Sequence, residues 1–448
     1  MSAEQNVASS NPAAVQGSQP VPRSRLAVIA KWGGGAVGML LLVALVIQFT
    51  VGWLPTHSTP AQPPAAVVAT QDPLADSVNK GIEFLKVHQE QTGHFSKGLL
   101  DPRPAFTALV VEALCRGEDG YREKDHEWLR KAVQAIKSEQ REDGAICSSF
   151  GNAANLSNYV TCISLLALTA VNNPEHQDVI EKAKAYLLKI QRTKEKGLDE
   201  GGVGYGPDGR SDGNNTAMWV ESLRSAGVKE DSEAMKKAGE YFARLQNDAE
   251  TNTAVKEFEG VELSNDGGFI YRPGEGNDDI PDDVSRTTGK RMPKSYGLMS
   301  YAGLKTFLLI NASKSDKHVK SAWRWVRENY TLEENRNLGP KGLYFYYMTM
   351  AKALAAYGDR SIETSDGQKH DWARELSDKI LAMQWDDGRW VNRKNSAWME
   401  NDPVLVTSYA IRTLKICQAF LKSHPAGEAS KSEAGAEKPP APAASEAR

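Results

Sequence analysis

The sequence predicts an all-α protein in which one helix–loop–helix unit is repeated six times, preceded by a single transmembrane helix. Two observations predict the repeats: a short motif recurs between residues 76 and 423, and the segments between its copies have the apolar period of a helix. A third observation, an uncharged stretch at residues 32–54, predicts the membrane helix. Strand signals are nearly absent.

The repeat motif occupies the first helix of each unit and the loop that follows it. Lys with Gly or Ala begins the motif, a glutamine lies near the end of the helix, and a glycine and an aromatic or aliphatic residue follow. The third copy has three glycines before Tyr205, and the fifth is degenerate, with Asn329 in the glutamine position, then Gly342 and Tyr344. The other copies carry the glutamines Gln89, Gln140, Gln191, Gln246 and Gln384.

The second helix of each unit is predicted from an apolar run. Within these runs apolar residues recur at i, i+3, i+4 and i+7, the spacing of a helix with one buried stripe. The first helices are more charged, as expected of a layer that faces solvent. One domain over residues 76–423, with two concentric helical layers, is therefore predicted. The runs lie at 106–114, 159–168, 215–223, 296–308, 346–354 and 405–414.

The two ends of the chain lie outside the predicted domain. Residues 32–54 are long enough to span a bilayer and longer than the apolar part of a cleaved signal peptide, which is the alternative. Because Arg23, Arg25 and Lys31 precede this stretch, residues 1–31 are predicted to be a disordered cytoplasmic segment and the repeats to be extracytoplasmic. Residues 55–75 are predicted to be a Pro/Ala linker, and 424–448 a disordered tail.

The repeat motif resembles the QW repeat of squalene and oxidosqualene cyclases and the repeats of protein prenyltransferase β subunits. The resemblance covers nearly all of residues 76–423 and implies an (α/α)6 toroid whose inner-helix N-termini line a central cavity. Such a cavity is also the default ligand site on physical grounds. The residues that the resemblance places around it are Asn158, Tyr159, Asn214, Asn215, Tyr296, Tyr346, Tyr347, Trp390, Trp398 and Tyr409.

Three carboxyl groups are candidate catalytic acids. Asp212 begins a segment similar to the Asp-x-Asp-Asp-Thr-Ala motif of class II terpene cyclases, but Asn214 and Asn215 replace its later aspartates. An amide cannot deliver a proton to an alkene, so this segment lacks the catalytic acid of the family it resembles. Glu400 and Asp402 precede the sixth inner helix, where an aromatic pocket would raise a carboxyl pKa. Capping of a helix N-terminus is the competing interpretation for Asp212 and for the 400–402 segment.

No metal or cofactor is predicted. Lys294-Ser295-Tyr296 stands where protein prenyltransferases carry the aspartate and cysteine that hold zinc, and the four cysteines form no CxxC pair. The acidic segment Asp278–Asp283 contains Pro281 and favours a solvated loop, with a Ca²⁺ or Mg²⁺ site as the alternative. The net charge of −3 gives no reason to expect nucleic-acid binding.

Three functions remain open from the sequence. The first, implied by the resemblance, is binding or conversion of an isoprenoid or polycyclic lipid in the cavity. The second is a non-catalytic extracytoplasmic scaffold that binds a peptide, lipid or glycan. The third is a polysaccharide lyase or hydrolase, which would need paired carboxylates such as Asp212 and Asp402. Whether the chain is an enzyme is therefore left open.

Overall fold

A computed structural model describes residues 72–95, 104–148, 155–193 and 197–425. The predicted cytoplasmic segment, membrane helix, most of the linker and nearly all of the tail lie outside these residues. The described part contains twelve α-helices and two small hairpins. The helices are α1 (Pro73–Val87), α2 (Ala105–Cys115), α3 (Glu127–Ser138), α4 (Ser157–Val171), α5 (Gln177–Lys189), α6 (Gly213–Ser225), α7 (Glu233–Ala243), α8 (Gly297–Leu309), α9 (Lys317–Asn329), α10 (Leu343–Tyr357), α11 (Trp372–Leu381) and α12 (Pro403–Ser423).

The even-numbered helices form a closed inner ring. Each of them contacts the next, and α12 returns to contact α2. The odd-numbered helices pack outside this ring, α3 against α2 and α9 against α8 for example. Every residue of α2 is buried, whereas α3 buries only one apolar stripe. The predicted all-α toroid of six units is confirmed.

The repeated glutamines join each unit to the next. Each side-chain amide donates to the carbonyl of its own unit's glycine and to a carbonyl in the following outer helix, the latter at 2.7–3.0 Å. Gln384 donates to Ser77 of α1 and so closes the ring between the sixth and first units. A single amide thereby satisfies two backbone carbonyls at once.

A second tie, not recognised in the sequence, links each loop to the inner helix of its own unit. The backbone N–H two residues after the glycine donates to a Thr or Ser hydroxyl at 3.0–3.1 Å. In the third unit this residue is Val203, which bonds Thr216, and not Tyr205, which the sequence pattern suggested. The five hydroxyls belong to Thr107, Thr161, Thr216, Ser300 and Thr407.

The fifth unit lacks both ties. The Asn329 amide donates back to Trp325 of its own helix, because the shorter side chain does not extend to α11. Gly342 and Tyr344, assigned to the motif from their spacing, instead begin α10, so that prediction was wrong. Where the other inner helices carry the Thr or Ser hydroxyl, α10 carries Tyr346 and Tyr347. The Tyr347 hydroxyl donates to the carbonyl of Leu332.

Two hairpins interrupt the helices. The strands β1 (Asp283–Val284) and β2 (Arg291–Met292) pair antiparallel within the insertion between α7 and α8. That insertion has a small apolar cluster of its own, which includes Phe258 and Leu263. The strands β3 (Ser361–Glu363) and β4 (Lys369–Asp371) pair antiparallel before α11.

Within the described residues, α12 is the one helix whose length and apolar composition would allow it to cross a membrane. Its most apolar window is 72% buried by the rest of the protein. Burial of this kind is what the core helix of a toroid requires, and α12 contacts α1, α2, α10 and α11. The predicted membrane helix at 32–54 lies outside the described residues.

Candidate functional site

A cavity of about 350 Å³ opens at the N-terminal ends of the inner helices. Eleven of its seventeen lining residues are aromatic or aliphatic, so the wall is mainly apolar. Phe345 and Tyr409 stack with ring centroids 5.6 Å apart, and Tyr159 and Tyr205 lie 6.3 Å apart. The polar lining residues are Asn214, Asn215, Asn277, Asp278, Asp279 and Glu400. The cavity therefore combines an apolar body with a few polar groups at its mouth.

Asp212 lies immediately behind this wall and caps α6. One carboxylate oxygen accepts from the Asn215 backbone N–H at 2.9 Å, and the other accepts from the Asn215 side-chain amide at 2.8 Å. Burial raises the pKa of Asp212 to about 6, although these hydrogen bonds favour the charged form. Asn215 thus stands between Asp212 and the cavity, with its amide occupied by the carboxylate.

Glu400 lines the cavity and is fully buried. Its Oε1 accepts from the Phe345 backbone N–H at 2.9 Å, in the first turn of α10, and its Oε2 accepts from the Asn392 amide at 2.7 Å. Burial raises the pKa of Glu400 to about 7, and the hydrogen bonds oppose that rise. Glu400 therefore exchanges its proton near neutral pH while it also caps a helix belonging to another unit.

Asp402 has a different position from the other two acids. Its Oδ1 accepts from the backbone N–H groups of Val404 and Leu405, which makes it the N-cap of α12. It does not belong to the cavity wall. Asp212 and Asp402 each bond the first turn of their own helix, and neither carboxylate faces the cavity as the paired-carboxylate hypothesis would need.

The structure divides the ten residues predicted to surround the cavity. Five of the ten lie in its wall, namely Tyr159, Asn214, Asn215, Trp398 and Tyr409. Of the three predicted acids, Glu400 also lies there. The other predicted lining residues lie outside this wall, where their polar atoms have backbone partners or are enclosed. Asn158 donates to Gly204, Tyr346 to Thr331 and Trp390 to Ile380, each through a carbonyl. Tyr296 and Tyr347 are also buried outside this wall.

Several wall residues could not be recognised from the motif. Phe106 and Phe345 lie on inner helices that were predicted, but nothing in their apolar runs distinguishes a cavity-facing position from a packed one. Tyr271 and Asn277 come from the insertion between α7 and α8, whose return to the cavity mouth depends on its tertiary contacts. The only sign of this in the sequence was an aromatic residue, Tyr271, close to the glycines of the insertion.

Trp398 and Met399 form an unusual part of the mouth. Both have left-handed backbone conformations, with φ of 55° and 61°, which bulky residues rarely adopt. Their side chains remain 39% and 38% exposed, and the Trp398 ring lies against Gly342 at the start of α10. This conformation places an aromatic ring and a thioether at the cavity entrance, directly before Glu400.

The deeper end of the toroid axis is closed by buried charges. A space of only about 30 Å³ remains there, enough for about one water molecule. Glu221 binds Lys305 and Lys352, and Glu112 binds the Arg412 Nε at 2.8 Å. Burial alone would raise the pKa of Glu221, but the two lysines outweigh it and hold that pKa well below its usual range. Ligand access is therefore from the mouth.

The acidic segment of the insertion lies at the same mouth. Asp279 pairs with Lys341 at 2.6 Å, Asp282 with Arg291 at 2.6 Å and Asp283 with Lys294 at 2.8 Å. Three of the four carboxylates in this segment thus have their own cationic partner, and the fourth, Asp278, lines the cavity. Among the described residues, no three His, Cys, Asp or Glu side chains lie close enough together to hold a metal ion.

Comparison with known proteins agrees with the toroid. The family model for the squalene-hopene cyclase C-terminal domain matches residues 95–251, which include Asp212. No curated protein sequence matches the chain.

Among solved structures, the α-mannanase of family GH76 from Bacteroides thetaiotaomicron has 12% identity and a TM-score of 0.50, over 79% of this chain and 99% of its own. The type II terpene cyclase MstE from Scytonema has 14% identity and a TM-score of 0.48, over 78% and 99%. A variant of MstE in complex with geranylgeranyl dihydroxybenzoate has 12% identity and a TM-score of 0.46, over 78% and 98%. Identities this low establish the fold alone. The chain is an α/α toroid that is similar to squalene-hopene cyclase over residues 95–251.

Proposed function

We propose that the toroid binds an isoprenoid-like or polycyclic lipid in the cavity at the inner-helix N-termini. The observation that carries the proposal is the composition of the cavity wall, which is mainly aromatic and aliphatic. Burial of an apolar ligand against such a wall contributes about 25 cal/mol for each Å² removed from water. The similarity to squalene-hopene cyclase over residues 95–251 supports the same class of ligand.

The polar groups of the cavity would orient such a ligand. Asn214 lies in the wall where class II terpene cyclases carry their proton donor, and its amide can hydrogen-bond a hydroxyl or carboxyl end. Of the three predicted acids, Glu400 alone lines the cavity, and its pKa of about 7 leaves it partly protonated at neutral pH. Asp278 and Asp279 also line the cavity but are exposed, whereas Glu400 is buried, so we extend the proposal to proton transfer only through Glu400.

The test is a binding titration of the full-length chain with geranylgeraniol, followed by tryptophan fluorescence. Trp398 is the tryptophan in the cavity wall, so Trp398→Phe should remove most of the signal change. Trp128→Phe, on the outer helix α3, is the matched control and should keep it. Saturable binding that depends on Trp398 would support the proposal. No binding of geranylgeraniol, or an equal signal change in both variants, would overturn it.

A glycan is the second candidate ligand. The observation in its favour is that Asp278 and Asp279 share the mouth with Glu400 and with the exposed Trp398 ring, groups of the kind that bind sugars. Mannotetraose, as a neutral oligosaccharide probe, is titrated in the same assay. Binding of mannotetraose, without binding of geranylgeraniol, would replace the lipid proposal with this one.

We also propose that residues 32–54 anchor the chain in a membrane, with residues 1–31 cytoplasmic and the toroid extracytoplasmic. The proposal rests on the uncharged length of that stretch and on the preceding Arg23, Arg25 and Lys31. Membranes carrying the full-length chain are washed with alkaline carbonate, and intact cells are then treated with protease. Retention after the wash and digestion from outside are expected. Release by the wash would contradict the anchor, and protection from protease would contradict the orientation.

A further inference from the structure

A second cavity, of about 400 Å³, lies between the fifth and sixth units. The first turn of α10, the end of α11 and the loop at 391–394 enclose it. It does not open into the cavity described above, since no residue lines both. Glu400 lines the first cavity and its hydrogen-bond partner Asn392 lines the second, so this pair stands between them.

The missing ties of the fifth unit explain why the second cavity occurs at this junction. At the sixth unit, for example, the loop after the glutamine inserts Trp390 into the core, fixed by Gln384 and Thr407. The fifth unit has no glutamine, and the residues that follow Asn329 turn back through a bridge between Asn335 and Gly339. The fifth unit therefore has no counterpart of Trp390 fixed by both ties, and the second cavity lies at this junction.

The inner part of the cavity is apolar and contains one poorly satisfied hydroxyl. Leu343, Tyr344, Tyr347 and Met383 form its wall. The Tyr344 side chain is only 2% exposed, and its hydroxyl contacts the Met383 sulfur at 3.8 Å. A thioether is a weak acceptor, so a buried hydroxyl in this position retains most of its capacity to bind a ligand oxygen.

The rim of the cavity is positively charged. Lys379, Arg393 and Lys394 lie there with one carboxylate, that of Glu333, which pairs with Lys379 at 2.7 Å. Three cations and one carboxylate leave an excess of two positive charges. The Arg393 guanidinium lies 3.9 Å from the centroid of the Trp385 ring, which fixes it at the edge of the cavity.

We propose that this second cavity binds a small amphipathic carboxylate. The carboxylate would pair with Arg393 and Lys394 at the rim and accept a hydrogen bond from the Tyr344 hydroxyl. The aliphatic or aromatic body would pack on Leu343, Tyr347 and Met383. The volume falls within the range of small-molecule sites, and the arrangement of one charged end and one apolar end selects against both neutral lipids and fully polar anions.

The experiment is isothermal titration calorimetry of the full-length chain in lipid nanodiscs, with empty nanodiscs subtracted and with octanoate and 1-octanol as probes. Octanoate should bind at least about tenfold more tightly than octanol, because only the carboxylate can make charge-assisted contacts with Arg393 and Lys394. Lys394→Glu should weaken octanoate binding about tenfold, and Tyr344→Phe about threefold. Lys236→Glu makes the same charge change on α7, far along the chain from this junction, and should leave binding unchanged.

Three results would overturn the proposal. Equal affinity for octanoate and octanol would show that the basic rim does not select a carboxylate. Equal weakening by Lys394→Glu and Lys236→Glu would show that the charge effect is nonspecific. Binding of an Asp/Glu-rich peptide without binding of octanoate would assign the basic rim to a polypeptide. Because no variant here touches the first cavity, each result is independent of geranylgeraniol binding.

Discussion

The junctions between neighbouring units of the ring are of two kinds: five share one set of contacts, and the junction between the fifth and sixth units has another. At the five, a glutamine amide joins neighbouring outer helices, and a Thr or Ser hydroxyl holds each loop on its inner helix. Between the fifth and sixth units the contacts are made by ionisable groups. Glu400 accepts from α10, and the Tyr330 hydroxyl donates to Glu375, which also binds His370. Glu400 has a pKa raised to about 7, so this junction should respond to pH near neutrality.

The second cavity lies at this junction, and the first cavity extends to it. Glu400 and Phe345, at the exceptional junction, line the first cavity, and Tyr344 and Asn392 line the second. A regular fifth unit would have placed at the second cavity a loop with its aromatic or aliphatic residue, as Trp390 is placed in the sixth. Departure from the repeat therefore coincides with the second cavity, whereas five of the six inner helices contribute to the wall of the first.

The largest expected effect is at the closure of the ring. Gly388 has a φ of +90°, and a Cβ there would lie 2.3 Å from the Lys80 carbonyl oxygen. Gly388→Ala should lower the free energy of unfolding by about 3–4 kcal/mol, from backbone strain and steric overlap together. Gly339→Ala in the fifth unit is the matched control, because its φ is +61° but its surroundings are open; about 1 kcal/mol is expected. Urea unfolding measures both, and equal losses would contradict the role of the close contact.

The next effect concerns pH at the exceptional junction. The pKa of Glu400 is raised to about 7, so folding favours its protonated form. The corresponding stability is present below the ordinary pKa near 4.5 and is lost as pH rises through 7, an effect of roughly 3 kcal/mol. Glu400→Gln should flatten the decline of unfolding free energy between about pH 4.5 and 7.5.

A control separates Glu400 from the other buried acid. Asp212, with a pKa of about 6, should account for a decline at lower pH, which Asp212→Asn would remove. Urea midpoints are measured at half-unit pH intervals for the three proteins. A slope above pH 6 that persists in Glu400→Gln would show that another group is responsible.

Much of this organisation could be read from the sequence because it depends on spacing. The glutamines, the positive-φ glycines and the apolar runs recur with the units, and they identified the six repeats and the two layers. The fifth unit was misplaced at Gly342 and Tyr344 because the glycine–aromatic spacing occurs there by coincidence, at the start of α10. Orientation around an inner helix could not be read, since α10 is apolar on nearly every side. For that reason Tyr346 and Tyr347 were expected in the wall that Phe345 occupies.

A smaller effect tests the amide ties themselves. Gln246 is fully buried, donates to Gly267 and His318, and accepts from the His318 ring. Gln246→Ala should cost about 2 kcal/mol, because it leaves buried carbonyls without a donor. Asn329→Ala, in the same position of the fifth unit, removes one bond within its own helix and should cost about 0.5–1 kcal/mol. If the two variants lose the same free energy of unfolding in urea, the glutamine bond between units stabilises the protein no more than the asparagine bond within one helix.

The smallest effect is expected at the substitute tie of the exceptional junction. The Tyr330 hydroxyl donates to Glu375 at 3.1 Å, and the carboxylate is partly exposed. Tyr330→Phe keeps the ring packed beside His370 and removes only this bond, so a loss of about 0.5–1 kcal/mol is expected. Tyr121→Phe is the control for loss of a hydroxyl. The Tyr121 ring also packs beside a histidine, His126, but it lies between α2 and α3. A loss above about 2 kcal/mol at Tyr330 alone would mean that this bond replaces the missing glutamine completely, and the junction would then be as strong as the other five.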